Sequence, residues 1–263
     1  INKRCNLNMI KLVVSDLDRT LLPHGVQEVD EQTIYTIKKL VEKNIYFAIA
    51  SGRSYKELSK FMKKTKDSIF LICENGALIT YRGRILNKKC IEKDKTVNLV
   101  NKLEQNGYDC LISGVYTLYT TSKNQSYLRY LNRVKGNVMK IKYADDLPED
   151  PLRISVYKKN RQIVDKPWII ESFKDFNISY YGEEWLDFTG QGVNKGMAVK
   201  QIKKSFLSEE DEIMAFGDQD NDKEMLLIAD YSCAMIHGSK EIINISNEIT
   251  ENPIKTIQKY IKF

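Results

Sequence analysis

Two carboxylates separated by one residue, Asp16 and Asp18, follow an apolar segment near the start of the chain. That segment, residues 10–15, is rich in β-branched and apolar side chains, which predicts a buried strand of a parallel sheet. Carboxylates at the end of such a strand are costly unless a cation meets them. In α/β sheets, ligands bind beyond the carboxyl ends of the strands. The pair therefore indicates either a metal and catalytic site or a polar cap of a turn or helix.

Three further polar clusters stand where predicted strands end or predicted helices begin. They are Ser51-Gly52-Arg53, Asn194-Lys195-Gly196, and Asp218 with Asn221-Asp222. Strand ends and helix starts of an α/β sheet meet at one edge, so these clusters favour the site interpretation of Asp16 and Asp18 over the capped turn.

The elements that position these clusters alternate regularly at both ends of the chain. Apolar runs predict strands and 3.6-residue periodicity predicts helices, in the order strand, helix, strand, helix, strand up to about residue 80. The same rhythm returns after Gly190. This alternation predicts an α/β fold, a Rossmann-like core with a parallel sheet in three α/β/α layers. We assign residues 1–82 and 189–263 to this core.

The middle of the chain has a different rhythm. Runs of paired short strands between helices predict an α+β domain with an antiparallel sheet, inserted at residues 83–188. The edges of the insertion, Arg82-Gly83-Arg84 and Gly182-Glu183-Glu184, are polar and contain glycine, as linkers do.

Composition excludes several classes of protein. The 263 residues include 41 basic and 35 acidic side chains, a formal net charge of +6. Lysines are interleaved with acidic residues, which indicates a solvated surface, and a mildly positive field also suits an anionic small substrate better than a nucleic acid. No apolar run approaches the roughly 18 residues of a membrane span. The basic residues 1–8 lack the apolar region of a signal peptide.

The five cysteines are far apart, odd in number and include no Cys-x-x-Cys pair. This pattern favours a reducing compartment, and we expect a cytoplasmic protein without a disulfide framework or a zinc site. With two histidines in the sequence, a histidine-rich metal site or a Ser-His-Asp triad is not expected. No pattern indicates an oligomeric state.

In this order and spacing, the polar motifs resemble the haloacid dehalogenase superfamily of phosphohydrolases. The similarity is greatest to the Cof-like subfamily, which carries a class IIB cap inserted between the second and third core motifs. The resemblance covers the whole chain. It rests on Asp16-Leu17-Asp18-Arg19-Thr20-Leu21-Leu22, Ser51-Gly52-Arg53, Glu74-Asn75-Gly76-Ala77, Gly192-Val193-Asn194-Lys195-Gly196 and Gly217-Asp218-Gln219-Asp220-Asn221-Asp222.

The resemblance implies that Asp16 attacks phosphorus and forms an aspartyl-phosphate, which divides one difficult step into two easier ones. Asp18 would protonate the leaving oxygen and later deprotonate the attacking water. Asp218 would complete a Mg²⁺ site with the Asp16 side chain and the Asp18 backbone carbonyl, because oxygen ligands suit Mg²⁺. Lys195 would offset the repulsion between the carboxylates and the phosphate.

The resemblance also implies a set of supporting residues. The phosphate would be held by the Leu17 and Gly52 backbone N–H groups and by the side chains of Ser51, Lys195 and Asn221. Asp222 and Thr20 would stand behind the metal ligands, with Asp222 holding a metal-bound water or Lys195. Arg53 either pairs with a carboxylate or contacts the substrate. Asn75 is either a turn residue or a residue near the site entrance.

Two positions depart from the family pattern. Arg19 stands where the family usually has glycine, and a long cation there could alter the loop or reach toward the substrate. Near the C-terminus, Ala234-Met235-Ile236-His237 replaces the usual Ala-Met-Gly-Asn. His237 is therefore either a substrate contact or an exposed loop histidine.

Together with these observations, the resemblance implies a cytoplasmic, Mg²⁺-dependent phosphohydrolase that acts on small phosphorylated metabolites such as sugar phosphates or a phosphorylated cofactor. The inserted cap would close over the site and select the leaving group. Two alternatives stay open: a phosphomutase of the same superfamily and a non-catalytic phospholigand-binding protein. Neither a nucleic acid nor a membrane is expected as a partner.

Overall fold

The computed structural model describes residues 10–23, 25–26, 28–136, 138–157, 167–181 and 185–263, with the backbone alone at Pro167, Tyr180 and Tyr181. Three predicted features fall outside the described residues. They are the basic segment at 1–8, the linker Gly182-Glu183-Glu184, and residues 164–166, the first part of a helix that the apolar pattern predicts over 164–173.

The described residues follow the predicted alternation of strands and helices. The strands are β1 (Ile10–Asp16), β2 (Tyr46–Ala50), β3 (Phe70–Cys73), β4 (Leu78–Tyr81), β5 (Arg84–Lys88), β6 (Asp109–Ser113), β7 (Leu118–Thr120), β8 (Val138–Lys140), β9 (Arg153–Tyr157), β10 (Phe176–Tyr181), β11 (Trp185–Gly190), β12 (Glu212–Gly217), β13 (Tyr231–Met235) and β14 (Glu248–Thr250). The helices are α1 (Glu31–Glu42), α2 (Tyr55–Phe61), α3 (Lys93–Gln105), α4 (Gln125–Lys135), α5 (Pro167–Ser172), α6 (Lys195–Phe206), α7 (Lys223–Ile228), α8 (Lys240–Ile245) and α9 (Pro253–Tyr260). The sequence analysis did not anticipate β4, β5 and β14.

The chain divides into two compact units, which are described separately. Unit 1 comprises Ile1–Asn87 and Asn194–Phe263, and unit 2 comprises Lys88–Val193. The sequence analysis had placed these divisions earlier, at 82/83 and 188/189. Its interpretation of Arg82-Gly83-Arg84 as a linker is wrong: Arg82 and Gly83 have φ values of 51° and 71° and join the neighbouring strands β4 and β5. Two central residues with positive φ are typical of a tight hairpin turn.

Unit 1 is built on a sheet with the order β14-β13-β12-β1-β2-β3-β4-β5. Its strands from β14 to β3 pair in parallel, and β4 turns back antiparallel to β3. The predicted parallel α/β core is therefore confirmed, with an antiparallel addition at one side. Because β1 lies inside the sheet between β12 and β2, its residues Leu12, Val13 and Val14 are fully buried.

Helix caps and apolar faces position the helices of unit 1. The Asp30 side chain accepts a hydrogen bond from the Thr33 backbone N–H at 2.6 Å and caps the start of α1. On α6, Ala198, Val199 and Ile202 pack into a core cluster with residues of β1, β2 and β12. This packing fixes the start of α6 relative to the sheet. No described helix has the length and apolar character needed to cross a membrane.

Unit 2 is built on a second sheet with the order β10-β11-β9-β6-β7-β8. The described pairs are antiparallel except β7 and β8, which are parallel. The expectation of a purely antiparallel sheet is therefore wrong at this edge. The physical reason is that α4 connects β7 to β8, and a helical crossover returns the chain in the same direction.

The two faces of the unit 2 sheet differ in chemistry. One face packs Ile112, Ile154 and Phe188 with α3 and α5 in the main core cluster. The opposite face carries a band of buried polar side chains on β6, β9 and β11, formed by Ser113, Arg153, Ser155, Asp187 and Thr189. Within this band, Arg153 Nη1 lies 2.8 Å from Asp187 Oδ2.

Candidate active site

The candidate site lies at the carboxyl edge of the unit 1 sheet. Asp16 is the last residue of β1, and Asp218 directly follows the last residue of β12. These strands pair in parallel, with Ser15 opposite Phe216. The register therefore brings both predicted metal ligands to the edge at which α/β proteins bind their ligands.

Lys195 occupies the first turn of α6, which Asn194 caps by accepting a hydrogen bond from the Met197 backbone N–H at 2.7 Å. Lys195 Nζ lies 2.6 Å from Asp16 Oδ1 and 2.6 Å from Asp222 Oδ1. The lysine side chain is fully buried. A buried ammonium requires such partners because its removal from water is costly. Lys195 therefore links the end of β1 to the segment after β12.

Asp222 is fully buried, and both of its carboxylate oxygens accept hydrogen bonds. Oδ1 accepts from Lys195, and Oδ2 accepts from the backbone N–H groups of Asp218 at 2.9 Å and Gln219 at 3.1 Å. Gly217 permits this close approach, because a Cβ there would lie 2.5 Å from the Asp222 Cβ. Asp222 thus holds both the lysine and the loop that carries Asp218.

Gly76 is a supporting residue to which the sequence analysis gave no role. Its φ of 106° lies in the left-handed region that favours glycine, and a Cβ there would approach the Asn194 carbonyl oxygen to 2.3 Å. The loop after β3 can therefore lie directly against the start of α6, where Lys195 is placed. The glycine within Glu74-Asn75-Gly76-Ala77 was the signal in the sequence for this close contact.

The electrostatics of the site are dominated by buried carboxylates. Burial raises the pKa of Asp16 to about 8; the nearby Lys195 ammonium opposes this shift, and the Asp222 and Asp218 carboxylates add to it. Burial alone would lower the pKa of Lys195, but Asp16 and Asp222 outweigh this and raise it, so the lysine keeps its charge. Burial also raises the pKa of Asp218. Asp16 and Asp222 share the Lys195 ammonium, and Asp218 adds a third carboxylate close to them. This excess of buried carboxylates over buried ammonium favours binding of a cation.

The same residues could hold a metal ion. Asp16, Asp218 and Asp222 each offer a carboxylate oxygen, and these oxygens lie within 4.8 Å of one another. Both oxygens of Asp222 already accept hydrogen bonds, so Asp16 and Asp218 are the better candidates for ligands. A buried set of oxygen donors with excess negative charge fits a hard cation such as Mg²⁺.

Asp18 is placed differently from Asp16. Its carboxylate is paired with Arg53 in bidentate geometry, with Nε to Oδ2 at 2.8 Å and Nη2 to Oδ1 at 2.6 Å. The guanidinium also lies 4.3 Å from the centre of the Phe61 ring. Of the two interpretations of Arg53, pairing with a carboxylate is the one the structure shows, and that carboxylate is the predicted acid–base residue.

A third group of predicted residues comes together from the loops that follow β2, β3 and β12. Asn221 Nδ2 donates to Asn75 Oδ1 at 3.1 Å, and a Cβ on Gly52 would lie 3.2 Å from that same oxygen. Ser51 is buried, and its Oγ accepts from the Arg53 backbone N–H at 3.2 Å. The structure therefore brings Ser51, Gly52, Asn75 and Asn221 together, although they come from three separate stretches of sequence.

The remaining predicted residues lie in the turn that follows β1. The Leu17 carbonyl accepts a hydrogen bond from the Leu22 backbone N–H at 2.7 Å, and Asp18 forms an isolated bridge with Leu22. This closes the turn. Thr20 is buried, and its Oγ1 lies 3.5 Å from Asp218 Oδ1, the long limit of a hydrogen bond.

The two residues that depart from the family pattern meet at Asp218. Arg19 Nε lies 3.5 Å and His237 Nε2 3.8 Å from Asp218 Oδ2. His237 Nε2 also lies 2.8 Å from the Arg19 backbone carbonyl oxygen. The sequence analysis identified both positions as unusual but did not place them together, because no local pattern connects residues this far apart in the chain.

A family model for the haloacid dehalogenase-like hydrolases matches residues 13–256. The chain belongs to the haloacid dehalogenase-like hydrolase family.

Named relatives and solved structures agree with this membership. The 5-amino-6-(5-phospho-D-ribitylamino)uracil phosphatase YbjI of Escherichia coli is 24% identical over 242 residues, covering 89% of this chain and 88% of the relative. The phosphatase YitU of Bacillus subtilis, with the same named substrate, is 25% identical over 258 residues, covering 91% of each. The structure of the subclass IIB sugar phosphatase BT4131 matches with a TM-score of 0.78 at 18% identity, covering 95% of this chain and 98% of that one.

These comparisons confirm the predicted superfamily, its phosphatase class of enzyme and the α/β fold. The roles of individual residues, the identity of the metal ion and the substrate stay predictions.

Proposed function

We propose that this protein is a Mg²⁺-dependent phosphohydrolase that removes phosphate from small phosphorylated metabolites through a covalent intermediate on Asp16. The observation that carries the proposal is the buried Asp16 carboxylate at the end of β1, held by Lys195 Nζ at 2.6 Å. The lysine fixes one oxygen of this carboxylate. Lys195 can attract the phosphate group, and the carboxylates can attract a metal ion. A carboxylate held in a fixed orientation in such a site is suited to nucleophilic attack on phosphorus.

The reaction would proceed in two balanced steps. In the first, an Asp16 oxygen forms a bond to phosphorus, the bond from phosphorus to the ester oxygen breaks, and Asp18 gives its proton to that leaving oxygen. In the second, water attacks phosphorus, Asp18 takes a proton from this water, and the bond between Asp16 and phosphorus breaks. Inorganic phosphate is released and both aspartates return to their starting states.

The pairing of Asp18 with Arg53 adds a requirement to this scheme. A carboxylate that accepts two hydrogen bonds from a guanidinium has both oxygens occupied. Arg53 must therefore release at least one oxygen of Asp18 before that residue can serve as acid and base. We assign to Arg53 the positioning of Asp18 in the free enzyme.

Asp16 and Asp218, with the backbone carbonyl of Asp18, are the proposed Mg²⁺ ligands. When bound, Mg²⁺ would neutralise charge on the phosphoryl group and on the carboxylates. Asp222 and Thr20 support Asp218, and Asp222 also holds Lys195. The charged Lys195 ammonium stabilises negative charge on the transferring group.

The phosphate-binding assignment covers groups that converge on this edge of the sheet. We assign it to the Leu17 and Gly52 backbone N–H groups and to the side chains of Ser51, Lys195 and Asn221. Asn221 contacts Asn75, and Gly52 closely approaches the same residue. These two contacts support the proposal that the loops carrying Gly52 and Asn221 bind the same phosphate.

The substrate class is proposed from chemistry and from relatives. YbjI and YitU are named for a phosphorylated ribityl compound and BT4131 for sugar phosphates. Unit 2 corresponds to the inserted cap of the sequence analysis, and we assign substrate selection to it.

We also propose a cytoplasmic location and no role in nucleic-acid binding. Within the described part of the chain, Cys73, Cys90, Cys110 and Cys233 are free thiols, as expected in a reducing compartment. The modest basic excess and the enclosed acidic site suit a small anionic substrate delivered with a cation.

The test is an assay of phosphate release from a panel of sugar phosphates and phosphorylated ribityl compounds, with and without Mg²⁺. We expect Asp16→Asn to lower turnover by at least about 10³-fold while the unfolding temperature stays close to that of the wild type, because the amide cannot attack phosphorus. Asp220→Asn is the matched control, since this exposed aspartate lies in the same loop as Asp218 and contacts Ser239 instead. It should retain full activity.

Three outcomes would contradict the proposal. Pure Asp16→Asn protein with substantial phosphatase activity would exclude the nucleophile. Isomerisation of a hexose phosphate without release of phosphate would indicate a phosphomutase. Tight binding of a phosphorylated metabolite with no turnover in Mg²⁺ would indicate a binding protein.

A further inference from the structure

Arg19 has a backbone conformation that an arginine rarely adopts. Its φ is 65°, in the left-handed region where a side chain with a Cβ is disfavoured. The conformation is held by the turn itself, since the Arg19 backbone N–H donates to the Leu22 carbonyl at 2.8 Å. Strained backbone of this kind persists where the surrounding structure holds it and is common at functional sites. The contacts of the Arg19 side chain therefore indicate what this conformation achieves.

The Arg19 side chain contacts a buried carboxylate. Its Nε lies 3.5 Å from Asp218 Oδ2; the arginine side chain is 44% exposed, whereas that of Asp218 is 1% exposed. Gln219 Nε2 donates to the same oxygen at 3.1 Å. Oδ2 of Asp218 therefore already faces two nitrogen donors, one of them on a permanent cation.

His237 fixes the segment that presents this cation. Its Nε2 lies 2.8 Å from the Arg19 carbonyl oxygen, and because a carbonyl only accepts, this nitrogen carries the proton and donates it. The two residues lie in the turn after β1 and in the loop after β13, two segments that meet here at Asp218. The Arg19 backbone is thus held on both sides, by Leu22 through its N–H and by His237 through its carbonyl.

We propose that Arg19 is a tethered cation that competes with Mg²⁺ for Asp218 and lowers the affinity of the substrate-free enzyme for the metal. The inference rests on the proposed function in one respect, the assignment of Asp218 as a metal ligand. A guanidinium beside this carboxylate partly neutralises it and repels a dication that binds to it. The arginine must move away from Oδ2, or share that oxygen, before Asp218 can coordinate a metal.

The position of Arg19 makes such movement feasible. Nearly half of its side chain is exposed, so the guanidinium can turn toward solvent at little cost in burial. The buried Lys195, by contrast, has no exposed side and stays between Asp16 and Asp222. The site therefore contains one fixed cation and one displaceable cation.

The experiment is titration of metal-free protein with MgCl₂ by isothermal calorimetry, without substrate, in the wild type and in Arg19→Gln, Arg19→Gly and Arg19→Lys. Removal of the charge should tighten Mg²⁺ binding by roughly two- to fivefold, the size expected for one partly exposed charge pair. Gln and Gly should behave alike, although Gly alone relieves the positive φ. Lys should stay close to the wild type because it keeps the charge.

Two controls accompany this series. Lys64→Gln removes an exposed lysine that pairs with Glu31 on α1, and it should leave the Mg²⁺ affinity unchanged. Thermal unfolding provides a second readout, in which Mg²⁺ should raise the unfolding temperature of Arg19→Gln more than that of the wild type at the same subsaturating concentration.

The outcomes separate this inference from the proposed function. Equal Mg²⁺ affinity in the wild type, Arg19→Gln and Arg19→Gly, with binding abolished by Asp218→Asn, would overturn the role of Arg19 and leave the metal site intact. Absence of Mg²⁺ binding in the wild type would overturn both. Tighter binding in Arg19→Gln and Arg19→Gly, but not in Arg19→Lys, would support a competition that depends on charge.

Discussion

Each unit of this molecule buries a basic side chain against carboxylates, but the two clusters are balanced differently. In unit 1, Lys195 lies between Asp16 and Asp222, and all three are buried. In unit 2, Arg153 lies 2.8 Å from Asp187, and both are also buried. The cost of removing charge from water is of the same kind in both places.

The difference lies in charge balance. Within the described residues, the unit 2 ion pair joins the Arg153 guanidinium to the Asp187 carboxylate, between the neighbouring strands β9 and β11. The unit 1 cluster places Asp16 and Asp222 on the Lys195 ammonium and adds Asp218 beside them. Burial raises the pKa of Asp16 and of Asp218, and neighbouring carboxylates raise both further. A buried pair with equal positive and negative charge serves the structure. A buried cluster with more carboxylates than cationic side chains can instead bind a metal cation. The comparison teaches that excess charge, rather than burial, marks the functional centre.

The largest expected effect is on Lys195. Lys195→Met should lower phosphatase activity by about 10³-fold or more, because the ammonium that stabilises charge on the phosphoryl group is lost. It should also lower the free energy of unfolding by about 3–5 kcal/mol, since two buried carboxylates lose their partner. Urea unfolding of the metal-free protein, together with the phosphate-release assay, would measure both effects.

Arg153→Met is the matched variant in unit 2 and should destabilise by a similar amount, about 3–5 kcal/mol. Mg²⁺ should restore part of the stability of Lys195→Met and none of that of Arg153→Met, because the group of carboxylates that could hold a metal ion in the described part of the chain lies in unit 1. Replacing both partners, in Arg153→Met with Asp187→Leu, should return stability to within about 1 kcal/mol of the wild type. Equal recovery of both single variants in Mg²⁺ would break the comparison.

A smaller effect is expected from the glycine that seats the start of α6. Gly76→Ala places a Cβ 2.3 Å from the Asn194 carbonyl oxygen at a positive φ, so the first turn of α6 and Lys195 must shift. We expect turnover to fall by about 10- to 100-fold, the cost of misplacing a catalytic group by a fraction of an ångström to an ångström. Steady-state kinetics would show the loss mainly in kcat.

Gly107→Ala supplies the control for backbone strain. Gly107 also has a positive φ, 77°, but a Cβ there would meet nothing within 4 Å. It should cost about 1–2 kcal/mol of stability from the left-handed conformation alone and leave turnover unchanged. Similar kinetic losses in the two variants would show that the contact between Gly76 and Asn194 does not position Lys195.

The smallest effect is expected at Glu248 on β14, a partly exposed carboxylate that pairs with Lys259. It shows how little a charge pair contributes to stability when it is open to solvent. Burial would raise the pKa of Glu248, but hydrogen bonds from Tyr231, Tyr260 and Lys259 outweigh it and hold that pKa below its ordinary value of 4.5. A lowered pKa in the folded state means that the stabilisation is present above the ordinary pKa and is lost as pH falls through the folded value.

Glu248→Gln should therefore reduce the free energy of unfolding by about 1 kcal/mol or less at neutral pH, the size expected for an ion pair open to solvent. The difference from the wild type should shrink as pH falls from 4.5 through the lower folded-state pKa, because the unfolded chain takes up its proton first and the folded carboxyl follows. Urea unfolding at a series of pH values measures it. A difference that stays constant down to the acid limit would show that packing, rather than charge, stabilises this cluster.

Much of the fold could be predicted from the sequence because its signals are local. The apolar run at β1, the capping aspartate of α1 and the capping asparagine of α6 each specify an element through neighbouring residues. The hairpin of β4 and β5 was missed because Arg82 carries a side chain at a positive φ, which the sequence does not display. The parallel pairing of β7 and β8 was missed because the sequence does not show which strand β8 pairs with after α4.

For the site, the sequence by itself determined the motifs, their order and the family to which the chain belongs. The tertiary structure alone decided which side chains meet: Arg53 on Asp18, and Arg19 with His237 on Asp218. The physical reason is that motif residues are read from short spacings along the chain. Contacts across the edge of a sheet are instead set by the order of its strands and the shapes of the loops that follow them.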